Sequence, residues 1–184
     1  MLENLLSLIT QQGDSSIINN PDIPNERNEE AVAMAGNSIT SGLQNAIAGG
    51  GLKDVLNMFS NSGNVASSTV TQNIQSGFTQ DIMSKFGLNE AQAGSMAGSL
   101  IPNVLQQLVS KTNDANDGSF NLQGIFNQLS GGGTGGFDVQ SLMTKFQSGA
   151  FDVDGDGDTD LQDAMAMFKG NSGGILNTIK GLFS

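Results

Sequence analysis

LKDVLNMF, residues 52 to 59, puts Leu52, Val55, Leu56 and Phe59 at positions 1, 4, 5 and 8 of an eight-residue stretch, the spacing of one apolar face over two helical turns. The same word recurs as VQSLMTKF at 139 to 146, LQDAMAMF at 161 to 168 and LNTIKGLF at 176 to 183, with LQGIFNQL at 122 to 129 and LENLLSLI at 2 to 9 close to it. Helices this short are marginal in isolation and must pack against one another. No run alternates apolar and polar residues over the length of a strand. The expected fold class is therefore all-α: a bundle of many short helices, with a C-terminal EF-hand-like loop–helix module.

A chain of 184 residues that is 37% hydrophobic has enough apolar surface for a core. Without Trp, Tyr or Cys, that core has to be made from Leu, Ile, Val, Ala, Met and Phe. The missing cysteines rule out disulfides, thiolate metal sites and a cysteine nucleophile. The missing histidine removes the commonest general base and metal ligand. No paired acid–base constellation stands out among the remaining carboxylates, so no catalytic residues are assigned and a non-enzymatic role is expected.

Several breakers divide the chain. Asn20-Pro21 and Ile23-Pro24 predict an extended stretch at 20 to 26, residues 61 to 68 read as a loop, and Pro102 is expected to start or kink a helix. The run GGGTGG at 131–136 reads as a linker between a helical domain at 1–130 and a calcium-binding module at 137–184. Within the first domain, Met34 to Ile47 can be laid over Met96 to Val109 at a constant offset of 62, so that Ile39, Leu43 and Ile47 meet Ile101, Leu105 and Val109. This suggests a weak internal duplication.

The chemistry is concentrated in DVDGDGDTDLQD, residues 152 to 163. Six of the chain's 18 acids fall in this window, and outside it 12 acids face 7 bases. An EF-hand loop supplies oxygens from positions 1, 3, 5, 7, 9 and 12 around a glycine at position 6. Asp152, Asp154 and Asp156 occupy the first three of these positions, Gly157 the turn, Asp158 the backbone-carbonyl position, Asp160 the ninth, and Asp163 closes the loop. Calcium is the expected ion. Because Asp163 stands where the longer Glu is usual and Thr159 where an aliphatic residue is usual, magnesium is a competitor. The alternative is a metal-free acidic turn, in which six carboxylates at close spacing would repel one another. A second segment, NDANDGSFNLQG at 113 to 124, aligns with the loop through Asp117, Gly118 and Leu122, but Ala115 and Gly124 stand at ligand positions. It reads either as a degenerate hand or as a helix N-cap.

The stretch NNPDIPNERNEEAV at 19 to 32, followed by MSKFGLNEAQAGSMAGSLIPNVLQQLVSKTNDANDGSFNLQGIF at 83 to 126, resembles the YidB-like bacterial proteins of unknown function, in the versions that end in an acidic calcium-type loop. The loop itself is similar to the dockerin type, which also closes with Asp. The resemblance implies an all-helical, partly homeodomain-like fold and a bacterial cytoplasmic protein, and it brings no catalytic residues.

The functional expectation is a calcium-binding structural or protein-interaction protein that self-associates or engages a protein partner, its Met-bearing helix faces suiting adaptable contacts. Ordinary core packing accounts for the same methionines. The alternative is nucleic-acid binding through homeodomain-like helices, which lacks a basic stripe because the seven bases are scattered singly. The N-terminus carries Glu3 where a signal peptide carries a base, and no stretch approaches the roughly 18 apolar residues of a membrane span, so a cytoplasmic location is expected.

Overall fold

The computed structural model describes residues 2–60, 64–114, 116–129, 139, 141, 143 and 144. Within them lie α1 (Leu2–Gln12), α2 (Asn28–Ala48), α3 (Leu52–Ser60), α4 (Thr69–Phe86), α5 (Glu90–Asn113) and α6 (Leu122–Leu129), with a π-helical turn at Asp14–Ile18 and a 3-10 turn at Asn25–Arg27. No strand occurs among the described residues. The glycine run at 131–136 and the acidic loop at 152–163 lie outside them.

Local chemistry sets where the helices begin and end. Ser68 caps α4 by accepting from the Thr71 N–H. Asn89 and Gln92 form a reciprocal capping box at the start of α5, which satisfies donors that the first turn leaves free. Gly87 ends α4 in the left-handed region at φ 71°, a conformation that a Cβ disfavours. Three residues therefore join α4 to α5, and these two helices share the most extensive interface of the fold. α2 packs on α4, α1 packs on α2 and α5, and α3 fits against α2, α4 and α5.

The buried side of α5 runs through Ala93, Met96, Ala97, Leu100, Ile101, Val104, Leu105, Leu108 and Val109. It is the longest continuous apolar stripe in the core. Pro102 sits inside α5 rather than at its start, because the helix has already been nucleated by the cap at Asn89. Helices α2 and α5 begin at Asn28 and Glu90, the same offset of 62 read in the sequence. The aligned Ala31 and Ala93, Ala35 and Ala97, Ile39 and Ile101, and Leu43 and Leu105 are all buried.

Residues 20 to 26 differ from the extended stretch expected of them. The Asn20 side chain accepts from the Asp22 N–H at 2.9 Å and donates to the Ser16 carbonyl at 2.9 Å, folding the segment into a turn that leads to the 3-10 turn. Pro24, at φ −58° and ψ 133°, keeps an extended backbone at the helix entry.

Two kinds of glycine occur in the helices. A Cβ on Gly42 of α2 would lie 2.3 Å from Cγ1 of Ile74 in α4, whereas one on Gly94 of α5 would meet nothing within 4 Å. Ile74 is 1% exposed and has nowhere to retreat. Gly42→Ala should therefore destabilise the fold, since overpacking costs about 1–3 kcal/mol and exceeds the gain in helix propensity. Gly94→Ala should stabilise it by about 0.5–1 kcal/mol. Urea unfolding of the two variants checks both signs.

Candidate metal centre

Asp152, Asp154, Asp156, Asp158, Asp160 and Asp163 lie outside the described residues. Upstream, Val139, Ser141, Met143 and Thr144 occupy helical positions, in keeping with the apolar word that starts at Val139. Val139 and Met143 are buried in the same apolar cluster as Phe59, Phe126 and Leu129. The Val139 N–H donates to Gln123 Oε1 at 2.9 Å. Phe59 of α3 and Phe126 of α6 tie these two helices together, their rings meeting edge to face at 6.1 Å between centroids.

The loop-like segment 113 to 124 is built differently from a metal hand. Asn113 belongs to the end of α5, and its side-chain amide donates to the Phe59 carbonyl at 2.8 Å, satisfying one of the free acceptors in the last turn of α3. Asn121 receives the Gly124 N–H at 2.6 Å and serves as the cap of α6, so the cap reading of this segment applies there. Asp117 faces Lys111: the ammonium donates to Oδ2 at 2.8 Å, while Oδ1 accepts from the Ser119 N–H at 2.9 Å and from the Ser119 hydroxyl. The Ser119 carbonyl in turn accepts from the Asn4 amide of α1 at 2.8 Å. Both carboxylate oxygens of Asp117 are thus engaged by the chain's own donors. Among the described residues, no group of three or more acidic, histidine or cysteine side chains is placed to hold a metal.

The described cations are largely spent on carboxylates. Arg27 and Lys85 both bond Glu30, at 2.8 and 3.0 Å, and the Arg27 guanidinium lies 4.1 Å above the Phe86 ring. Their hydrogen bonds hold the Glu30 carboxyl below its ordinary range, Arg27 contributing most. The methionines divide as core chemistry requires: Met58, Met96 and Met143 are buried, and Met34 and Met83 pack at its edge. Among the described residues, no helix is long and apolar enough to cross a membrane.

No protein-family model, curated protein or solved structure matches the chain.

The pairing at Asp117 was missed in the sequence because Lys111 and Asp117 are six residues apart, outside the i, i+3 and i, i+4 spacings that signal helix ion pairs. It has a pH signature. The hydrogen bond from Lys111, followed by those from Ser119, lowers the Asp117 pKa from 3.8 to about 2. A depressed carboxyl favours the folded state above its unfolded value, so this contribution is intact above about pH 4 and is lost as the pH falls towards 2. Carboxyl-carbon NMR should find Asp117 titrating near 2, and Lys111→Met should move the midpoint up towards 3.8. A midpoint that Lys111→Met leaves in place would show that Lys111 is not the cause.

Proposed function

We propose that this chain is a non-enzymatic calcium-binding protein of structural or interaction type, in which Asp152, Asp154, Asp156, Asp158, Asp160 and Asp163 hold one calcium ion and the metal orders the C-terminal module. The observation that carries the reading is the oxygen-donor set itself. Six carboxylates stand at loop positions 1, 3, 5, 7, 9 and 12 with glycine at 6, the arrangement that a hard cation of high coordination number requires. Bare, these charges repel; a divalent ion gives them a common centre and offsets part of a net charge of −11.

Supporting the same reading, the segment at 113 to 124 uses lysine and serine donors where a hand would need a metal, so a single calcium per chain is expected. The resemblance to YidB-like proteins with an acidic C-terminal loop fits a helical bundle carrying one such site. Three of the four described bases, Arg27, Lys85 and Lys111, are bonded to carboxylates. Among the described residues this leaves little positive charge for phosphates, which favours calcium and protein contacts over nucleic acid. Self-association through apolar helix faces belongs to this reading, and light scattering with and without calcium measures it.

The shorter reach of Asp163 sets the affinity on the weak side, on the order of 10⁻⁵ to 10⁻³ M, with magnesium competing. Titration calorimetry on metal-free protein should give one calcium site, abolished by Asp152→Ala together with Asp163→Ala. Absence of calcium uptake at millimolar concentration, or heat that survives the double substitution, would refute the assignment.

A further inference from the structure

Asp117 is followed by Gly118 in the loop between α5 and α6. In an Asp-Gly pair the side-chain carboxyl faces the least hindered backbone nitrogen, because glycine carries no Cβ beside it. Among the described residues no other Asp or Asn precedes a glycine. Gly118 is exposed, and a Cβ built there would meet nothing within 4 Å. Its N–H donates to no acceptor among the described residues. The nitrogen is thus free to act as a nucleophile, whereas the carboxyl beside it is held on both sides. Asp117 Oδ2 accepts from Lys111 Nζ at 2.8 Å, and Oδ1 accepts from the Ser119 N–H at 2.9 Å and from the Ser119 hydroxyl.

We propose that Asp117-Gly118 is a site of spontaneous isoaspartate formation that Lys111 and Ser119 latch shut in the folded chain. In this reaction the Gly118 nitrogen bonds to Asp117 Cγ, and a carboxyl oxygen leaves as water, taking the amide proton and the acid proton with it. The product is a five-membered succinimide. Water then opens either ring carbonyl, returning aspartate or isoaspartate at unchanged mass, with no oxidant or reductant involved. The oxygen can leave as water only from the acid form of the carboxyl. Charge-assisted bonds from Lys111 and Ser119 favour the carboxylate instead, holding its pKa at about 2, and they fix the carboxyl in one orientation. Isoaspartate would insert a methylene into the backbone two residues before Ser119, whose carbonyl accepts from the Asn4 amide of α1 at 2.8 Å. The modification therefore acts on the tether between α1 and this loop.

Incubation of the full chain in neutral buffer, folded and in urea, followed by peptide mapping with electron-transfer mass spectrometry, tests the latch. Cleavage after Lys145 separates Asp117 from the Asp-Gly pairs at 154–155 and 156–157. Isoaspartate at 117 should accumulate in urea faster than in the folded chain by about tenfold or more, the factor that one hydrogen bond to a charged group supplies. Lys111→Met should accelerate the folded chain about tenfold, while Lys111→Arg, which keeps a cationic donor, stays slow. All three chains should react alike in urea, where the latch is undone. Gly118→Ala, which the open space accommodates, suppresses the product in both conditions. Should Lys111→Met lose its helical circular dichroism, Ser119→Ala removes the hydroxyl bond and gives the same comparison. Equal rates in the folded and unfolded parent chain, or a folded Lys111→Met as slow as the parent, overturn the latch. Absence of isoaspartate at 117 in urea overturns the site itself.

Discussion

Burial of the long apolar stripe of α5 organises the bundle, because α4, α1, α3 and the π-helical turn all pack against this one helix. Alanines at 93 and 97 let neighbours approach closely, and Leu100, Ile101, Val104, Leu105, Leu108 and Val109 fill the space between them. A chain without Trp or Tyr has to fill its core with many small contacts rather than a few large ones. That demands close helix approach, which explains why Gly42 must face Ile74 and why Gly36 must face Leu6. Pro102 is tolerated in this central helix because the packing on either side holds the turn that has lost a hydrogen bond.

Much of this was legible in the sequence. The word LKDVLNMF became the buried Val55, Leu56 and Phe59 of α3, and LQGIFNQL became α6 with its four apolar positions buried. The offset of 62 marked the paired starts of α2 and α5. Apolar period is legible because it reports burial directly. The segment at 20 to 26 was not, since its shape depends on Asn20 bonding both Asp22 and Ser16, and prolines report only their own backbone angles. The π-helical turn at Asp14–Ile18 left no trace in apolar spacing. It exists through wide backbone bonds, Ile18 to Gly13 and Asn19 to Asp14, while Ile17 supplies the core contact.

Electrostatics separate the two hand-like segments more clearly than their alignment does. At 113 to 124 the few carboxylates are matched by Lys111, by Ser119 and by backbone N–H groups, so the segment is self-sufficient. At 152–163 the carboxylates outnumber any donor that the local sequence supplies, with Lys145 and Lys169 the nearest bases along the chain. The candidate site is therefore a reading of spacing and charge in the sequence, and its six carboxylates lie outside the described residues. The internal pairing of Asp117 depended on a tertiary approach that no spacing rule encodes.

The hydrogen bond from Asn4 to the Ser119 carbonyl joins residues 115 apart in sequence, whereas α4 and α5 are joined by three residues. Closing a loop costs chain entropy that grows with its length, and long-range pairings slow folding. The hairpins of α2 with α3 and of α4 with α5, each closed by three residues, thus have short routes to their partners, whereas the contact of α1 with the loop after α5 has a long one. During synthesis α1 and α2 emerge before α5, so α1 can meet α2 early, yet its docking site is complete only when α5 and the loop after it exist.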